Sequence, residues 1–549
     1  MEGVEGDIRN NVLAYLSIEK QKAHEDLTPA IVQILHRKAP EEIRTALQPY
    51  GYYNPVINDK LIRENSALHA MYTISVGAPV IIDTIDIAVT GEGAEDTVFA
   101  SLEEALPVKK GDVLNHQYFE DSKRMLHNRA ARAGYLKAEM ISARVNVYPE
   151  KNRAEIVLHF KTGPRYYFGT VSFVQDSFSA DFLSRFVRFS AGDIYSTSAL
   201  MELQKDLNNS DYFSSVEIMP KIDESEDFQV PIEVRVKPRK RNQYTFGLGY
   251  GTDTGARASL GWENRRVTRN GHKFKANLRI SGIKTSISSE YTIPLTKPLS
   301  DQIVLSAGWL NEETKTSNTD KTFGGVHYNY LEDEWKKSIY ATYEKDDFDV
   351  GNESGQSTLF IPGMSWTRIR ADNPVTARQG SRLYLDIRGA HDALLSDATF
   401  AQFRMQAKYI RGITAQSRFI ARCEAGASLI DNFSDLPPSV RFFAGGDNSI
   451  RGYAYNSLGP KDGEGYVIGG KHLLVGSIEF EHLIRDKWSA AVFYDAGNAM
   501  DALSDPIKNG AGFGIRWQSP VGPVRLDLGF PLDTSDSSWR IHFVIGPDL

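Results

Sequence analysis

The residues in this sequence with the most obvious chemistry are one arginine and a few carboxylates that follow it. Arg451 lies in the run Gly-Gly-Asp-Asn-Ser-Ile-Arg-Gly-Tyr at residues 445–453, and Glu479 and Asp495 lie in later segments that alternate apolar and polar side chains. A guanidinium is planar and permanently charged, so it can hydrogen-bond two carboxylates at once. These residues therefore predict a buried ion-pair cluster rather than a reaction centre.

Patterns typical of enzymes and metal sites are absent from the sequence. It contains no Gly-x-Ser-x-Gly, no phosphate-binding P-loop and no His-Glu-x-x-His. The one cysteine, Cys423, excludes an intramolecular disulfide and a cysteine-cluster metal site, and the 12 histidines are scattered, with His542 standing alone. The net charge of −7 argues against nucleic acid as the main partner. We therefore expect neither an enzyme nor a bound cofactor or metal.

The second half of the chain has the pattern of membrane strands. Tyr244, Phe246, Leu248 and Tyr250 alternate with small or polar residues, and no run of 18 apolar residues provides a membrane helix instead. Apolar and aromatic residues on one face with polar ones on the other are typical of a transmembrane β-barrel. A soluble β-sandwich is the alternative, but it would not repeatedly set charged residues opposite aromatic-rich faces. Sixteen such segments are bounded by turn residues, at 243–251, 255–263, 272–281, 285–293, 302–311, 322–331, 336–345, 357–369, 381–390, 399–411, 416–428, 472–482, 489–496, 511–519, 522–530 and 538–546.

Residues 243–549 are therefore expected to form a 16-stranded antiparallel transmembrane β-barrel, interrupted by one long Gly-rich loop at 431–471. A carboxylate that faces lipid is costly, so the parity of the strands turns Glu479, Glu481 and Asp495 toward the lumen, where they need hydrogen-bond donors. We expect the loop to fold back into the barrel and to supply Arg451 as that donor.

The first half of the chain carries a repeat of about 80 residues. Gly51-Tyr52-Tyr53-Asn54, Gly134-Tyr135-Leu136-Lys137 and Asp211-Tyr212-Phe213-Ser214 each follow a helix-like segment and precede an alternating one. Gly51 and Gly134 are expected to end helices with a positive φ, Pro40 to begin a helix, and Asn115 to cap one.

Each repeat predicts an α+β module of one strand, two helices and two further strands, at residues 1–77, 78–163 and 164–239. The first repeat has no obvious opening strand, as N-terminal trimming would leave it. Three unrelated α/β domains are the alternative, but the shared period, order and flanking pattern favour a repeat.

These features together resemble one protein family. The modules resemble POTRA domains, and the barrel resembles that of the BamA and TamA superfamily of outer-membrane assembly proteins, whose sixth outer loop carries a (V/I)RG(F/Y) motif. Ile450-Arg451-Gly452-Tyr453 is similar to that motif, and residues 476–480, 493–497, 512–523 and 524–527 are similar to segments of the family's later strands. The resemblance implies that Arg451 reaches the lumen wall at Glu479, Phe493 and Asp495. Three modules and sixteen strands most resemble the TamA branch.

The resemblance also implies a location and partners. It places the barrel in the bacterial outer membrane and the modules in the periplasm; the first residues lack a basic start and an apolar run, so we expect that a signal peptide was removed. The implied partners are unfolded outer-membrane and autotransporter clients and, at the first module, an inner-membrane-anchored TamB-like protein. Arg451 then either merely fastens the loop or takes part in assembly.

Client insertion is expected to use a weak seam between the first and last strands. The residues assigned to this seam are Tyr244, Phe246, Gly247 and Gly249 on the first strand and Ile541, Phe543 and Ile545 on the last. Glycine weakens strand packing, although close packing against neighbours would explain the same glycines. A polypeptide-secretion pore of the two-partner type and a BamA-like insertase are the alternative functions.

Overall fold

The structure, a computed structural model, describes residues 1–22, 27–64, 67–373, 375–430, 432–519, 522–534 and 538–545. Predictions that concern Asp431, the Pro520-Val521 turn and the Gly546-Pro547 end lie outside these residues. None of the helices in the described ranges is both long enough and apolar enough to cross a bilayer. The chain forms two compact units, the first of Met1–Val174, Val187–Lys205 and Glu217–Arg235 and the second of Gln175–Phe186, Asp206–Val216 and Val236–Leu549.

The N-terminal part contains the helices and three small sheets. The helices are α1 (Gly6–Tyr15), α2 (Ser17–Gln21), α3 (Pro29–Leu47), α4 (Leu102–Ala105), α5 (His116–Arg132), α6 (Ala180–Ser184) and α7 (Thr197–Asn209). The strands are β1 (Val56–Glu64), β2 (Ala67–Ser75), β3 (Ile81–Thr90), β4 (Glu139–Tyr148), β5 (Arg153–Lys161), β6 (Tyr167–Val174), β7 (Phe213–Pro220) and β8 (Gln229–Pro238). The sheet orders β3-β5-β4 and β6-β8-β7 are equivalent, and the first module has the pair β1-β2.

Helix α3 corrects one prediction from the sequence. Pro40 lies inside this helix rather than at its start, which is instead at Pro29 after the cap Thr28, whose side chain accepts a hydrogen bond from the Ile31 amide. An interior proline removes one helical hydrogen bond. The apolar face of α3, which includes the fully buried Ile43, packs into the core of the first module and keeps the helix continuous.

The glycines of the repeat have the backbone conformation that the sequence predicts. Gly51 and Gly134 have φ of +86° and +88°, and Asp211 takes the equivalent position with φ of +62°. A left-handed residue ends a helix because it turns the chain out of the helical path, and glycine adopts that conformation without strain. Asn115 caps α5 by accepting a hydrogen bond from the Gln117 amide.

The same glycines also join consecutive modules. The Gly51 carbonyl accepts a hydrogen bond from the Val80 amide, and the Gly134 carbonyl accepts one from the Tyr166 amide, each at 2.8 Å. Within the joint between the first two modules, the Tyr53 hydroxyl lies 2.8 Å from Nε2 of His116. The residue that ends a helix in one module therefore binds the backbone that begins the next.

The C-terminal part is one sheet of sixteen strands in sequence order, so the predicted fold class is confirmed. The strands are β9 (Asn242–Gly251), β10 (Gly255–Asn264), β11 (Lys273–Ser281), β12 (Lys284–Pro294), β13 (Gln302–Glu313), β14 (Ser317–Glu332), β15 (Trp335–Val350), β16 (Glu353–Ala371), β17 (Gln379–Ala390), β18 (Phe400–Gly412), β19 (Ser417–Ile430), β20 (His472–Arg485), β21 (Trp488–Met500), β22 (Lys508–Ser519), β23 (Gly522–Pro531) and β24 (Arg540–Ile545).

The two faces of this sheet differ as the sequence pattern requires. On β9, Leu248 is 92% exposed and Phe246 is 77% exposed, whereas Asp495 on β21 is fully buried. The hydrogen-bonded ladders of β14 to β16 run several residues beyond the predicted ends because pairing continues after the apolar alternation stops, as at Glu353–Gln356. The sheet therefore presents its apolar side chains outward and buries carboxylates inside.

The repeat glycines give the first testable prediction. An alanine at Gly134 would place its Cβ 2.8 Å from the Tyr166 carbonyl oxygen, whereas Gly111, with φ of +91°, has open space around it. Both alanine variants should lose about 1–2 kcal/mol because of the left-handed backbone, and Gly134→Ala should lose more because of the clash. Protease resistance of the modules in the full chain during denaturant titration measures the difference. Equal losses for Gly134→Ala and Gly111→Ala would contradict the steric argument.

Candidate functional site

The loop between β19 and β20 folds against the inner face of the barrel wall. Short backbone bridges pair Phe442 with Gly470 and Ala444 with Leu458, so the loop has a folded base of its own. Its buried apolar residues form one cluster with residues of β20 and β21, and this cluster consists of Phe442, Ala444, Ile450, Tyr453, Leu458, Leu473, Val475 and Ala499. The packing of these eight buried side chains fixes the position along the barrel axis at which the tip of the loop contacts the wall.

Two glycines let the tip come close to its neighbours. A Cβ at Gly452 would lie 2.8 Å from the backbone at Phe530 and Pro531 of β23, and a Cβ at Gly446 would lie 2.5 Å from Asp253 Oδ2. Both glycines have a positive φ, at +99° and +109°. Only a residue without a side chain fits either requirement.

Arg451 binds Asp495 of β21 through both its backbone and its side chain. Its amide and its Nε donate to Asp495 Oδ2 at 3.0 and 2.8 Å, and Nη2 donates to Oδ1 at 2.9 Å. This is a forked, charge-assisted pair, which is among the strongest hydrogen-bonding arrangements in proteins. Asp495 is fully buried and Arg451 is 3% exposed, so water does not screen the pair.

The other donors of the guanidinium reach two further strands. Nη1 donates to Glu479 Oε2 on β20 at 2.6 Å and to Asp527 Oδ2 on β23 at 3.2 Å, and Nη2 donates to Ser477 Oγ at 3.3 Å. The guanidinium carbon also lies 3.4 Å from the ring centroid of Phe493, which is a close cation–π contact. One side chain thereby contacts β20, β21 and β23.

A second arginine completes the group. Arg516 of β22 donates from Nη2 to Glu479 Oε1 at 2.8 Å and from Nη1 to Asp527, so both carboxylates are shared between two guanidinium groups. Arg516 also lies 3.4 Å from Glu481, which in turn pairs with Arg418 of β19.

The resulting cluster is balanced in charge. Arg422 of β19 lies 3.9 Å from Asp495 and donates to Ser477, and its addition gives four arginines and four carboxylates. Buried ions are stable only if their partners stay in place, and removal of one partner commonly costs about 3–5 kcal/mol. We call this group the lumen cluster; its members are Arg418, Arg422, Arg451, Arg516, Glu479, Glu481, Asp495 and Asp527.

The structure brings the predicted loop and wall residues together, and it adds partners that the sequence reasoning did not assign. Ile450 is fully buried beside Arg451, and the Tyr453 hydroxyl donates to the Asn509 carbonyl at 3.3 Å. Asp527, Arg516 and Ser477 lie on the inward faces of their strands, and parity was the signal that could have assigned them. Parity does not tell at which height along the barrel a side chain lies.

The first and last strands meet through few direct hydrogen bonds. Within the described ranges the sheet has no ladder between β9 and β24, and the bonds across this seam lie at Thr252 and Phe543. The Thr252 amide donates to the Phe543 carbonyl at 3.4 Å, and the Phe543 amide donates to Thr252 Oγ1 at 2.7 Å. The ring of Phe543 lies 6.2 Å from that of Tyr250.

This register changes one expected pairing within the seam, although Gly247 and Gly249 line a cavity together with Ile545 of the last strand. Tyr244, Phe246, Gly247 and Gly249 lie farther along β9 than the Thr252 contact, so Phe543 is not opposite Phe246. Ile541 and Ile545 flank Phe543 on β24 and share its outward face. The pairing of Phe246 with Phe543 cannot be tested on the sequence, because no turn connects the first and last strands and nothing local fixes their register.

His542 also differs from its prediction, because it does not stand alone. Its side chain is 1% exposed and faces the lumen, where Nε2 accepts a hydrogen bond from the Gly452 amide at 2.8 Å. Its Nδ1 lies 2.6 Å from Asp447 Oδ1. The last strand therefore contacts the loop directly beside Arg451.

Comparison with known proteins agrees with this geometry. Residues 239–548 match the Omp85 superfamily domain, residues 1–76 match the first POTRA domain of TamA, and residues 86–163 and 166–239 match the POTRA repeat described as surface antigen variable number repeat. The chain therefore belongs to the Omp85 superfamily. The match of its first module to a TamA POTRA domain favours the TamA branch of the BamA and TamA group.

Two curated relatives and one solved structure define the degree of similarity. The outer membrane protein assembly factor BamA of Nitratidesulfovibrio vulgaris is 23% identical over 462 residues, which cover 79% of this chain and 58% of that protein. The BamA of Neorickettsia risticii is 21% identical over 88% of this chain and 68% of its own length. BamA from Haemophilus ducreyi lacking POTRA domains 1–3 matches with a TM-score of 0.72 at 17% identity, over 84% of this chain and 99% of that one.

These comparisons support a location and the fold. The chain spans about 58% of the length of the first of these relatives, so their full activity does not transfer to it directly. The family and its relatives place the protein in the outer membrane, with its N-terminal modules in the periplasm.

Removal of the loop arginine should release the loop. Arg451→Ala should destabilise the docked loop by about 3 kcal/mol because it leaves buried carboxylates without a partner. Arg451→Lys should give a partial loss, because an ammonium cannot reproduce the fork of donors. Protease cleavage at the exposed Lys461 in the loop measures release, and heat-modifiable mobility in a gel reports whether the barrel is folded.

The control for this experiment is Lys321→Ala. Lys321 is a cation of β14 whose Nζ lies 2.8 Å from Glu344 Oε2 on the neighbouring strand β15. Its removal should leave the loop protected. Equal protection of the loop in Arg451→Ala and in the unmodified protein would contradict the fastening role of Arg451.

Two aspartates of the lumen cluster should differ in their effect. Asp495 accepts three hydrogen bonds from Arg451, whereas Asp527 accepts one, at 3.2 Å. Asp495→Asn should therefore expose the loop amides to hydrogen exchange more than Asp527→Asn does, because the same change removes more bonds to the loop. The opposite order would show that the geometry around Arg451 does not determine how firmly the loop is held.

Proposed function

We propose that this protein helps outer-membrane β-barrel and autotransporter clients to fold into, or cross, the outer membrane by exposing strand edges at its seam. A closed barrel has no free edge, so a client strand can pair with it only where the ladder is interrupted. The observation that carries the proposal is that the described residues of β9 and β24 form no continuous ladder and are joined by hydrogen bonds at Thr252 and Phe543. Few bonds must break to open such a seam.

The position of the loop favours the seam over the lumen as the client route. The loop places its apolar residues and Arg451 against the inner wall, where they are buried. A secretion pore would have to displace this loop, and with it the buried Arg451. The polypeptide-secretion pore of the two-partner type therefore has less support than an insertase that acts at its wall.

The N-terminal modules offer surfaces for partners. On the β1–β2 hairpin, Val56 is 60% exposed and Met71 is 47% exposed, so apolar side chains are accessible to a partner there. We propose that the first module contacts an inner-membrane-anchored TamB-like protein, and that edge strands of the modules receive unfolded clients by β-augmentation. For Arg451 we propose that its direct role is to hold the loop, and that its part in assembly follows from this.

Locking the seam tests the proposed function. Cysteines in place of Tyr250 and Phe543, whose rings lie 6.2 Å apart, should form a disulfide across the seam in a Cys423→Ser background. Oxidation should reduce assembly of an autotransporter client to the background level, and a reductant should restore it, because the locked edge cannot open. The assay measures the surface-exposed client with the protein in liposomes.

The matched control locks two strands that are already paired. Leu248 and Ala258 are cross-strand partners on β9 and β10, so a Leu248→Cys/Ala258→Cys pair adds a disulfide without closing the seam. This variant should stay active when oxidised. Full activity of the oxidised Tyr250→Cys/Phe543→Cys barrel would contradict the seam mechanism. The lumen would then be the better candidate for the route of the client.

A further inference from the structure

The seam is spanned by a chain of polar contacts that passes through the loop. His542 on β24 is its first member: Nε2 accepts the Gly452 amide hydrogen at 2.8 Å. Because Nε2 must offer its lone pair to an N–H group, the ring hydrogen lies on Nδ1, which then donates to Asp447 Oδ1 at 2.6 Å. The last strand is thus bound to the loop at two points, Asp447 and Gly452, which are five residues apart in the sequence.

The remaining polar contacts extend from the loop to the first two barrel strands. Asp447 donates its amide hydrogen to Asp253 Oδ2 at 2.5 Å, and Asp253 lies in the turn between β9 and β10. The Asp253 side chain is 6% exposed and lies 3.7 Å from Arg540 Nη2 of β24. The path from β24 through the loop to the first hairpin therefore returns to β24. We call it the seam relay, and its members are His542, Asp447 and Asp253.

A metal site is the other interpretation of these three residues. Their ligand atoms lie within 4.8 Å of one another. The Gly452 amide argues against a metal, because it already uses the lone pair of Nε2 and so leaves the hydrogen on Nδ1, the atom that faces the carboxylates. A metal at Nδ1 would require the loop to give up this contact. The hydrogen bonds account for the arrangement without a metal.

The relay matters because the direct seam is weak. The described bonds between the two strands themselves lie at Thr252 and Phe543, so the relay adds His542–Gly452, His542–Asp447 and Asp447–Asp253 to a short list. Gly452 directly follows Arg451, which is held by the lumen cluster on β20, β21 and β23. The loop is thus the common support for the wall, the last strand and the first hairpin.

We propose that His542 is a positioning residue that fastens the loop across the seam, so that the seam opens only when the seam relay is released. The seam relay would then control when the seam opens. This inference rests on the proposed function only in one respect, which is that an open seam serves client assembly. Opening itself is a property of the barrel and is measured without a client.

Spin-label distances across the seam test the proposal. Labels on cysteines at Ile280 of β11 and Leu526 of β23, which are both outward-facing and half exposed, report the seam width in a Cys423→Ser barrel in nanodiscs. His542→Ala should raise the ratio of open to closed distances by about five- to thirtyfold, the range expected for the loss of one or two strong hydrogen bonds. His542→Gln should restore most of the closed population, because its amide can both accept from Gly452 and donate to Asp447.

Further variants distinguish a relay from general damage. Asp253→Ala, in a turn outside the strands, should open the seam as His542→Ala does, and the double variant should open it no further, because the contacts act in series. Asp386→Asn is the control: it alters a buried lumen carboxylate that accepts from Tyr340 at 2.7 Å on the far strands, and it should leave the seam closed.

Three results would overturn the proposal: a closed seam in both folded alanine variants, additive effects in the double variant, or equal opening in Asp386→Asn. Failure of the proposed function would be detected in a different experiment, the disulfide cross-link of the seam. In that case the labels still show the relay-dependent opening, but the disulfide across Tyr250 and Phe543 leaves client assembly unchanged.

Discussion

The structure depends on one constraint, which is that a membrane strand can place a charge on only one of its faces. An ionised side chain at the depth of the bilayer core must turn inward, and there it needs a partner because water does not reach it freely. Glu479, Asp495 and Asp527 obey this rule on three different strands. An arginine supplied from outside the strands is a suitable partner, since its fork of donors can serve all three. The buried charges of the wall thus determine where the loop must go.

The same constraint makes the loop part of the wall. A barrel is normally held by backbone hydrogen bonds between neighbouring strands, but Arg451 links β20, β21 and β23 by binding the carboxylate side chains of all three strands. His542 adds β24 by way of the Gly452 amide. The strands closest to the seam are therefore braced from inside, at the place where the backbone ladder is interrupted. The loop adds its contacts there to the few hydrogen bonds that join the described residues of the first and last strands.

The sequence allows much of this fold to be predicted, and the limits have physical causes. The sixteen strands follow from alternation, and the inward faces of Glu479 and Asp495 follow from parity. Parity has a period of two and carries no information on the stagger between distant strands, so it does not select Asp527 as a partner of Arg451.

Two other residues show where local patterns are insufficient. His542 looked isolated because its partners are about 90 residues away in a loop, and no local pattern connects them. Pro40 was assigned to a helix start from its residue type, but the packing of the apolar face of α3 outweighs the one hydrogen bond that this proline removes. In both cases long-range contacts decide what the local sequence does not.

The joints of the N-terminal modules have a consequence for how such proteins can evolve. The Tyr166 amide binds the Gly134 carbonyl, and the Arg239 amide binds the Tyr212 carbonyl, each at 2.8 Å, as happens at the first joint. Because these bonds join main-chain atoms, they do not depend on which side chains a module carries. Each module supplies the acceptor just after its long helix, and the donor lies at the start of the segment that follows the module. A gene duplication that copies a whole module therefore copies a working connector with it, and the number of modules can change without a new interface having to arise.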